Sequence, residues 1–501
     1  MRLHTSFRMA MVAAFAAPAA LVAGGAPAAL GSAAALSPGV IPTISDWQFL
    51  SGGTAPPGEA ACNAVNRRCF DPAAMAGSYN YAGLHASGDE GQGETIAVVD
   101  SFGSSTIASD LENFNTQFGL PQMCGEPGIA CTSGTPTFSI LNVQGSPPPN
   151  PPPPSSGTGQ EDHNLWALEV SLDVEWSHAT APLANILLVT TPTAETLGVQ
   201  GMTQMMDAEQ YVIDHDLADV ISQSFAAGEA SFSSFASLNN LRHAFIAAQQ
   251  DNVTVFGSAG DGGTTNTYKE PVKNPKVIPY PSVEWPASDP LVTGVGGTYL
   301  CTDTTVDSAS PPSKCQSNPG VREVGWVDSG GGYSIYFSRP SFQDTLPPGS
   351  SYVGSSAGAP GPNSSMRGVP DVAYQASATT GVLVYMTEPA TTSSGTGCGG
   401  ASPCSAGWYV VGGTSSGSPQ WAGIIAMADQ MAGRDLGYIN PALYSIADNA
   451  TEYANDFYDV TTGSNQTSSI PGYSASTGWD AVTGLGTPNV ANLIPDLIAA
   501  T

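Results

Sequence analysis

The sequence predicts an α/β fold in which helices cover both faces of a mostly parallel central sheet. Two observations support this prediction. Short apolar runs alternate with helical patterns from Gly93 to about Ile498, and strands separated by crossover helices pair in parallel. The chain also has 501 residues, of which 41% are hydrophobic, so it can bury a large core. Since no internal repeat or second boundary interrupts the pattern, we expect one large domain.

The individual elements are recognised by the spacing of their apolar residues. Short continuous apolar runs indicate buried strands, and apolar residues three or four positions apart indicate helices. The predicted strands are Thr95–Asp100, Asn185–Thr190, Ala218–Ser222 and Val253–Ser258. The predicted helices are Ile107–Phe118, Trp166–Trp176, Gly201–His215 and Gln420–Met431. The proline-rich tract Ser146–Ser156 lies between two strands of the same sheet, so we interpret it as a surface loop and not as a domain linker.

The charge of the chain is strongly negative. It carries 13 Lys and Arg residues against 42 Asp and Glu residues, a formal net charge of −29. Proteins that bind nucleic acids neutralise phosphates with clustered Lys and Arg, so this composition argues against a nucleic-acid partner. An anionic membrane surface is disfavoured for the same reason. Because free carboxyl groups titrate near pH ~4, the self-repulsion of the chain fades in acid.

The first 35 residues have the pattern of an export signal. Arg2, His4 and Arg8 form a positive start, and a stretch rich in Ala, Val and Leu with small-residue cleavage sites follows. Pro18 and two glycines interrupt that stretch, which favours a cleaved signal over a membrane anchor. No later segment approaches the ~18 continuous apolar residues that a spanning helix needs. We therefore expect residues 1–35 to be a signal peptide and the protein to be secreted and extracellular.

The eight cysteines fall into four couples that are close in sequence. They are Cys62 with Cys69, Cys124 with Cys131, Cys301 with Cys315, and Cys398 with Cys404. An even number of cysteines in loop-like sequence indicates local disulfide bonds formed in an oxidising compartment. A zinc site is the alternative, but the chain has no C-x-x-C motif and no histidine near these cysteines. Four local disulfide bonds are therefore predicted, in agreement with export.

Ser415 is the first candidate for a catalytic residue. It lies in Gly413–Pro419, a stretch rich in glycine and serine that precedes the helix Gln420–Met431. Backbone N–H groups at a helix N-terminus can face a developing oxyanion. The plain alternative is a loop that caps a helix. The same letters match the G-x-S-x-G elbow of α/β-hydrolases, but that fold needs a histidine after the serine, and the last histidine is His243.

A subtilisin-type triad is a second possibility, because Thr95–Asp100 resembles the strand that ends in the catalytic Asp of that family. The triad also needs a histidine at a glycine-rich helix start, and none of the six histidines has that context. His163 is the nearest candidate. Its neighbours Glu161, Asp162 and Asn164 are typical of a solvated surface residue.

Glu169 and Asp173 could activate Ser415 in place of a histidine. They are four residues apart in the predicted helix Trp166–Trp176, so both project from one helix face. A solvated acidic face is the ordinary explanation for such a pair. However, the surrounding residues are apolar, and Glu175 lies off this face. Close carboxyl groups share protons and titrate as a couple with one raised pKa, so the pair can act as a general base in acid.

Three motifs together resemble the sedolisins, the serine-carboxyl peptidases: Glu169–Trp176, Ser258–Gly263 and Gly412–Pro419. The supporting segments are Tyr280–Pro290, Gly294–Thr298, Ser329–Ser334 and Arg367–Ala373. Each motif alone is weak, but they occur in family order from about Gly91 to Asn492. The resemblance implies a subtilisin-like fold in which Glu and Asp on a helix replace the catalytic histidine.

By this resemblance, Ser415 is the nucleophile and Glu169 is the base that takes its proton. Asp173 orients Glu169 and shares its charge. Asp261 is the oxyanion donor, a role that a carboxyl group can play only when it is protonated. Asp100 falls where some family members place a further acid. The implied activity is that of a secreted endopeptidase, which hydrolyses protein or peptide substrates at acidic pH through an acyl-enzyme.

The resemblance also implies one structural Ca²⁺ ion near the C-terminus. Asp459 and Asp480 would supply carboxylate oxygens, and Val460, Ser476 and Gly478 would supply main-chain carbonyl oxygens. Ca²⁺ prefers such hard oxygen ligands. The family usually has glycine at Ser476, but a carbonyl ligand does not depend on the side chain. The alternative is an acidic loop without a metal.

The resemblance divides the chain into the signal peptide 1–35, a short N-terminal segment 36–90 and a peptidase domain 91–501. Sedolisins usually carry a long N-terminal prosegment, which this chain is expected to lack. We expect a monomer. The main alternative is an inactive secreted binding or scaffold protein with the same fold, against which the complete set Glu169, Asp173, Asp261 and Ser415 argues. A conventional Ser-His-Asp hydrolase is the other alternative.

Overall fold

The computed structural model describes residues 41–42, 46–143, 163–191, 199–267, 277–301, 315, 317–350, 352, 365–388, 405–467 and 469–501. The predicted signal peptide, the tract Ser146–Ser156 and the couple of Cys398 and Cys404 lie outside these residues, as does the side chain of His163. The described residues belong to a single compact unit. None of their helices combines the length and the apolar character that a bilayer crossing requires.

Helices and strands alternate along the chain, and each of the eight predicted elements is present with ends that differ by at most four residues. The helices are α1 Glu59–Ala64, α2 Pro72–Ser78, α3 Ala82–Ser87, α4 Ile107–Phe118, α5 His163–Thr180, α6 Val199–Asp214, α7 Phe235–Asn239, α8 His243–Asp251, α9 Gly417–Ala432, α10 Asn440–Asp448, α11 Ala450–Asp456 and α12 Val490–Ala500. The strands are β1 Ile41–Pro42, β2 Asp46–Ser51, β3 Arg68–Phe70, β4 Thr95–Ser101, β5 Phe138–Asn142, β6 Asn185–Thr191, β7 Val220–Gln223, β8 Phe225–Gly228, β9 Thr254–Ser258, β10 Glu284–Trp285, β11 Thr293–Leu300, β12 Glu323–Gly325, β13 Gly332–Ser338, β14 Met366–Val369, β15 Val372–Gln375, β16 Thr380–Met386, β17 Gly407–Gly412, β18 Phe457–Tyr458 and β19 Thr487–Pro488.

Eight strands form the central sheet. Their order is β12-β11-β9-β7-β4-β6-β5, with β15 also paired to β11. Every pair in this sheet is parallel except β11 with β12. In its middle, Val98 of β4 pairs with Leu188 of β6 and with Ser222 of β7. The predicted α/β class with a mostly parallel sheet is therefore confirmed.

The two faces of the sheet carry separate hydrophobic cores, because successive side chains of a strand point to opposite faces. On β4, Ile96 and Val98 join the core that includes residues of α5 and α9. Ala97 and Val99, between and beside them, join the core that includes residues of α6 and α8. Helices thus cover both faces, as the fold class predicts.

The sequence does not predict the four-stranded sheet β2-β17-β16-β3. Two of its strands come from residues 46–70, far in sequence from the other two. Asp46 and Trp47 of β2 pair with Gly412 and Val411 of β17. Because β17 leads into the turn that contains Ser415, this pairing fixes the strand that precedes the candidate nucleophile.

Three predicted disulfide bonds are confirmed among the described residues. They join Cys62 to Cys69, Cys124 to Cys131, and Cys301 to Cys315. The first connects α1 to β3, so it fixes the N-terminal part of the fold close to the four-stranded sheet.

Arg367 and Asp371 form a fully buried ion pair. Two guanidinium nitrogens of Arg367 donate to the two carboxylate oxygens of Asp371, at 2.8 Å and 2.5 Å. Asp371 also accepts hydrogen bonds from the hydroxyl of Tyr444 at 2.9 Å and from the N–H of Gly294 at 2.8 Å. The pair therefore ties the turn between β14 and β15 to β11 in the central sheet.

We expect Arg367→Met to lower the free energy of unfolding by about 3–5 kcal/mol, because it leaves the carboxylate of Asp371 buried without its cation. Arg67→Met is the matched control, since Arg67 pairs with Asp46 at a partly exposed position, where an ion pair contributes only about 0–1 kcal/mol. Urea unfolding of both variants at neutral pH, in a Ser415→Ala background, measures the difference. Equal losses for the two variants would contradict the prediction.

Candidate active site

Ser415 lies in a buried turn between a strand and a helix. β17 precedes a 3₁₀ turn formed by Thr414–Ser416, and α9 follows it. Gly413 has a φ of +130°, a conformation that glycine adopts without strain. At Gly417 a Cβ atom would lie 2.7 Å from Val295 Cγ1, so only glycine fits. The two glycines let the backbone present Ser415 at the N-terminus of α9.

Glu169 and Asp173 lie one turn apart on α5, and both side chains are fully buried. The helix packs against α9, β4 and the turn Thr414–Ser416. Glu175, on another face, is also buried and accepts a hydrogen bond from the N–H of Tyr385 at 3.0 Å. A solvated acidic face, the ordinary explanation for the pair, is therefore excluded by burial.

Burial keeps these carboxyl groups protonated to a higher pH than usual. The pKa of Glu169 is raised well above its ordinary value, first by burial and then by repulsion from Asp173, while a hydrogen-bonding interaction with the Ser415 hydroxyl opposes the shift. Burial also raises the pKa of Asp173, and Asp100 adds to it. Asp100 lies in β4, where burial raises its pKa to about 8. The three acidic groups thus interact with one another, and Glu169 also interacts with Ser415.

Asp261 is fixed by the residue that precedes Ser415. Its Oδ1 accepts hydrogen bonds from the N–H of Thr414 at 2.7 Å and from the Thr414 hydroxyl at 2.9 Å. The N–H of Gly260 donates to the same hydroxyl oxygen at 3.0 Å. Asp261 also contributes to the raised pKa of Glu169. The structure therefore brings together the residues predicted for catalysis, namely Glu169, Asp173, Asp261 and Ser415.

Sequence reasoning missed several polar side chains around this site. Ser418, in the first turn of α9, shares a hydrogen bond of 2.9 Å with Ser222 of β7. Ser224 interacts with Asp173 and opposes the rise of its pKa. Thr414, which holds Asp261, is the third. Their only signal in the sequence is position, since Ser224 directly follows a strand and the other two lie within three residues of the candidate nucleophile.

The described histidine side chains have their contacts elsewhere. Ring nitrogens of His85, His178, His215 and His243 each pair with a main-chain carbonyl oxygen. His178 is on α5, but it lies nine residues beyond Glu169, about 13 Å along the helix axis. Burial lowers its pKa to about 4. These contacts give no support to a Ser-His-Asp arrangement.

β8 is paired along both of its edges. One edge carries β10. The other carries β1 in antiparallel pairing, with Ile41 opposite Ala226 and Pro42 opposite Phe225. β1 also contacts α5, the helix of Glu169 and its partner acid. A short extended segment of the chain therefore lies along β8, against the helix that carries the acidic pair.

The residues predicted to hold Ca²⁺ lie in the loop between β18 and β19, in two segments (459–460 and 476–480) that contact each other. Oδ2 of Asp459 accepts a hydrogen bond from the N–H of Gly478 at 3.1 Å, and Oδ2 of Asp480 accepts one from the N–H of Ser476 at 2.9 Å. Burial raises the pKa of both carboxyl groups, and Asp459 adds to the shift of Asp480. Oδ1 of Asp459 is buried and has no hydrogen-bond partner among the described residues, although the Tyr453 hydroxyl interacts with this carboxyl group and opposes the rise of its pKa. In the described part of the chain, no N–H donates to the carbonyl oxygens of Val460 and Gly478. Both kinds of oxygen are therefore available, and this donor set fits Ca²⁺.

No protein-family model matches the chain. Curated relatives do align with most of it. Kumamolisin from Bacillus sp. (strain MN-32) is 28% identical over 452 residues, which are 88% of this chain and 66% of kumamolisin. Sedolisin from Pseudomonas sp. (strain 101) is 28% identical over 401 residues, which are 80% of this chain and 57% of sedolisin. The chain is a homologue of the sedolisins.

The fold of this sedolisin homologue agrees with a solved structure. Pseudomonas sedolisin, described as a serine-carboxyl proteinase complexed with two molecules of pseudo-iodotyrostatin, superposes with a TM-score of 0.58 at 24% identity. The match covers 86% of this chain and 98% of that chain. Tripeptidyl-peptidase sed4 of Aspergillus fumigatus is 31% identical over 278 residues, which are 48% of this chain and 37% of the relative. The chain thus has the sedolisin fold and spans only part of the length of these curated relatives.

Asp100 contributes to the free energy of unfolding of the sedolisin homologue, and this contribution falls as pH rises. Its pKa is about 8 in the folded chain and about 4 in an unfolded chain. The folded state therefore keeps a proton that the unfolded state has lost, so the stabilisation is complete below about pH 4 and disappears as pH rises through the folded pKa. We expect Asp100→Asn to make the slope of unfolding free energy against pH shallower by up to about 1.4 kcal/mol per pH unit between about pH 5 and about pH 7.

Urea unfolding of the Ser415→Ala chain at a series of pH values, with and without Asp100→Asn, measures this slope. Asp448→Asn is the matched control, because it removes an exposed carboxyl group by the same chemical change. If Asp100→Asn and Asp448→Asn give the same slope, Asp100 does not carry the proton.

Proposed function

We propose that this sedolisin homologue is a secreted serine-carboxyl endopeptidase that hydrolyses peptide bonds of proteins at acidic pH. The observation that carries the proposal is the buried pair of Glu169 and Asp173 beside the turn that presents Ser415, with Asp261 held by Thr414. The names of the relatives, which are kumamolisin, sedolisin and tripeptidyl-peptidase, support peptide-bond hydrolysis as the activity.

In the proposed reaction, Ser415 Oγ attacks the carbonyl carbon of the substrate, and Glu169 accepts the hydroxyl proton. Glu169 then gives that proton to the amine as the peptide C–N bond breaks, which leaves an acyl-enzyme that water hydrolyses. Asp173 provides a second carboxyl group beside that of Glu169. Because two buried carboxylates repel each other, the pair retains one proton over a wide pH range. Glu169 can therefore act as a base at a pH where the pair has lost one proton and kept the other.

Asp261 is proposed to stabilise the tetrahedral intermediate. Its Oδ1 already accepts two hydrogen bonds from Thr414, so Oδ2 is the oxygen that would carry a proton. A protonated Oδ2 can donate a hydrogen bond to the oxyanion, whereas an ionised carboxylate would repel it. The donor therefore requires acid independently of the base.

The edge of β8 that β1 occupies is the proposed binding edge for the substrate backbone. An extended peptide can add to a strand edge through main-chain hydrogen bonds, which is compatible with many side chains. Ile41 and Pro42 already pair there in antiparallel fashion. β8 begins directly after Ser224, which interacts with Asp173, so this edge starts close to the acidic pair. A substrate would have to displace this segment of the chain.

Calcium is proposed to have a structural role. Asp459, Asp480 and the carbonyl groups of Val460, Ser476 and Gly478 would hold one ion, whose charge would offset the two carboxylates. The ion would connect the beginning of the loop between β18 and β19 to its later part. Secretion is proposed on the signal pattern of residues 1–35, and the disulfide bonds support it because they form in oxidising compartments.

We expect Ser415→Ala to lower the hydrolysis of casein near pH ~4 by at least about 10³-fold, because the nucleophile is lost. Glu169→Gln is expected to lower it by about 10²–10⁴-fold through loss of the base. Ser87→Ala, an exposed serine at the end of α3, is the matched control and should keep full activity. Undiminished cleavage by Ser415→Ala would contradict the proposed nucleophile.

The dependence of kcat/KM on pH separates this proposal from a conventional Ser-His-Asp hydrolase, which loses activity below pH ~6 as its histidine protonates. The serine-carboxyl site should instead lose activity as pH rises towards neutrality. A peptide aldehyde that labels Ser415, detected by mass spectrometry, excludes an inactive scaffold. Absence of both labelling and cleavage would favour the scaffold.

Saturating Ca²⁺ is expected to stabilise the chain by about 2.7 kcal/mol at a free concentration of 100 times the dissociation constant. Asp480→Asn should reduce this stabilisation, and Asp448→Asn, at an exposed position in α10, should not. Thermal unfolding with added Ca²⁺ and with a chelator measures the effect. If Asp480→Asn responds to Ca²⁺ as strongly as Asp448→Asn, these loops do not hold the ion.

A further inference from the structure

Four carboxyl groups gather at the ends of α9, β4 and β7 that face away from the candidate active site. Glu94 immediately precedes β4, and Asp219 immediately precedes β7. Asp429 lies in the last turn of α9, and Asp435 follows that helix. Ser415, by contrast, lies just before the first residue of α9, and this 16-residue helix is about 24 Å long. The cluster is therefore separate from the catalytic residues.

Three of these groups have the spacing of ligands around one cation. Carboxylate oxygens of Glu94, Asp219 and Asp435 all lie within 4.8 Å of one another. Oδ2 of Asp219 accepts a hydrogen bond from the N–H of Thr95 at 2.7 Å, which fixes this carboxylate and leaves Oδ1 for another partner. Asp435 is exposed, so an ion can reach the cluster from solvent.

The side chain of Asp429 is independent evidence that this cluster requires a positive charge. Its side chain is fully buried. Its Oδ1 accepts a hydrogen bond from the N–H of Leu436, the residue after Asp435, at 2.8 Å. Its Oδ2 is buried and accepts no hydrogen bond from the residues that the structure describes. The carboxyl groups of Glu94, Asp435 and Asp219 repel its negative charge, so the side chain of Asp429 lies near the cluster.

No basic side chain neutralises this cluster in the described part of the chain, because none of the ion pairs there includes any of its four members. Arg434 is the neighbour in sequence, but its guanidinium donates to the carbonyl of Asp435 at 3.3 Å and to the hydroxyl of Thr501 at 3.0 Å. The last turn of α9 contains no basic residue. The partial negative charge of a helix C-terminus therefore adds to the carboxylates.

The side chain of Gln430 fixes the end of α9 to the segment 88–92. Oε1 of Gln430, the residue after Asp429, accepts hydrogen bonds from three successive N–H groups of residues 90–92, at 2.6–2.9 Å. Its Nε2 donates to the carbonyl of Gly88 at 2.9 Å. The end of α9 is thus fastened to the segment that leads to Glu94, so the carboxyl groups are positioned before any ion arrives.

We propose that Glu94, Asp219 and Asp435 bind a Ca²⁺ ion, with Asp429 as the buried acid next to it. Hard carboxylate oxygens in a partly exposed site, with water completing the coordination, are what Ca²⁺ accepts and what softer metals do not select. This ion would be additional to the one proposed at Asp459 and Asp480. It would connect the beginnings of two neighbouring sheet strands to the end of the helix that presents Ser415.

Equilibrium dialysis with Ca²⁺ at pH 7.5 tests the proposal on the full chain that carries Ser415→Ala and Asp480→Asn, which prevents self-digestion and weakens the other proposed ion site. A free Ca²⁺ concentration of about 1 mM lies at the weak end of known calcium sites in extracellular modules. This chain should retain one bound Ca²⁺, and adding Asp435→Asn should remove it. Asp448→Asn, an exposed Asp-to-Asn change in α10, should leave it in place.

Glu94→Gln is an independent second variant, and circular dichroism checks that each variant is folded. Loss of the ion in both Asp435→Asn and Glu94→Gln, but not in Asp448→Asn, supports the site. The proposal is overturned if the parent chain binds no Ca²⁺, or if the cluster variants bind as much as the control. Neither result depends on proteolytic activity.

Discussion

Removing carboxyl groups from water is the constraint on which this structure depends. A buried carboxylate needs a cation, hydrogen-bond donors or a proton. Asp371 has the guanidinium of Arg367, and Asp480 accepts hydrogen bonds from three backbone N–H groups at 2.8–2.9 Å. Among the described residues, no ion pair includes Glu169 or Asp173, which interact with other carboxyl groups and with hydroxyl groups. A proton is therefore the partner that lets these two groups remain buried, and the catalytic proposal rests on that proton.

The composition explains why many of the buried carboxyl groups must be neutralised by protons. Thirteen basic residues cannot pair with 42 acidic ones. Burial raises the pKa of several further carboxyl groups, to about 6 for Asp110, about 7 for Glu126 and Glu229, and about 8 for Asp429. These groups hold protons in the folded chain at a pH where the unfolded chain has lost them. The free energy of unfolding is therefore highest in acid, where both states are protonated. The net charge of −29 and the proposed chemistry thus require the same pH range.

Much of the fold and the candidate site could be predicted because the decisive patterns are local. The four-residue spacing of Glu169 and Asp173 on one helix, and the apolar runs of the parallel strands, depend only on helix and strand periodicity. Contacts that join distant segments could not be predicted in this way. Pairing of Asp46 with Gly412, and the hydrogen bonds from Thr414 to Asp261, leave no periodic trace in either segment. The burial of α5 was likewise only suggested, because an acidic pair among apolar residues fits a surface as well as a core.

Helix α9 connects the proposed catalytic site with the second acidic cluster. Its N-terminus, next to Ser415, carries a partial positive charge that favours the oxyanion formed only during the reaction. Its C-terminus carries a partial negative charge beside Asp429, which makes an ionised carboxylate there less favourable. The helix is buried along nearly its whole length, so solvent screens these charges weakly. Neutralising the acidic end, by protons or by a cation, is therefore a condition for keeping in place the helix that presents the nucleophile.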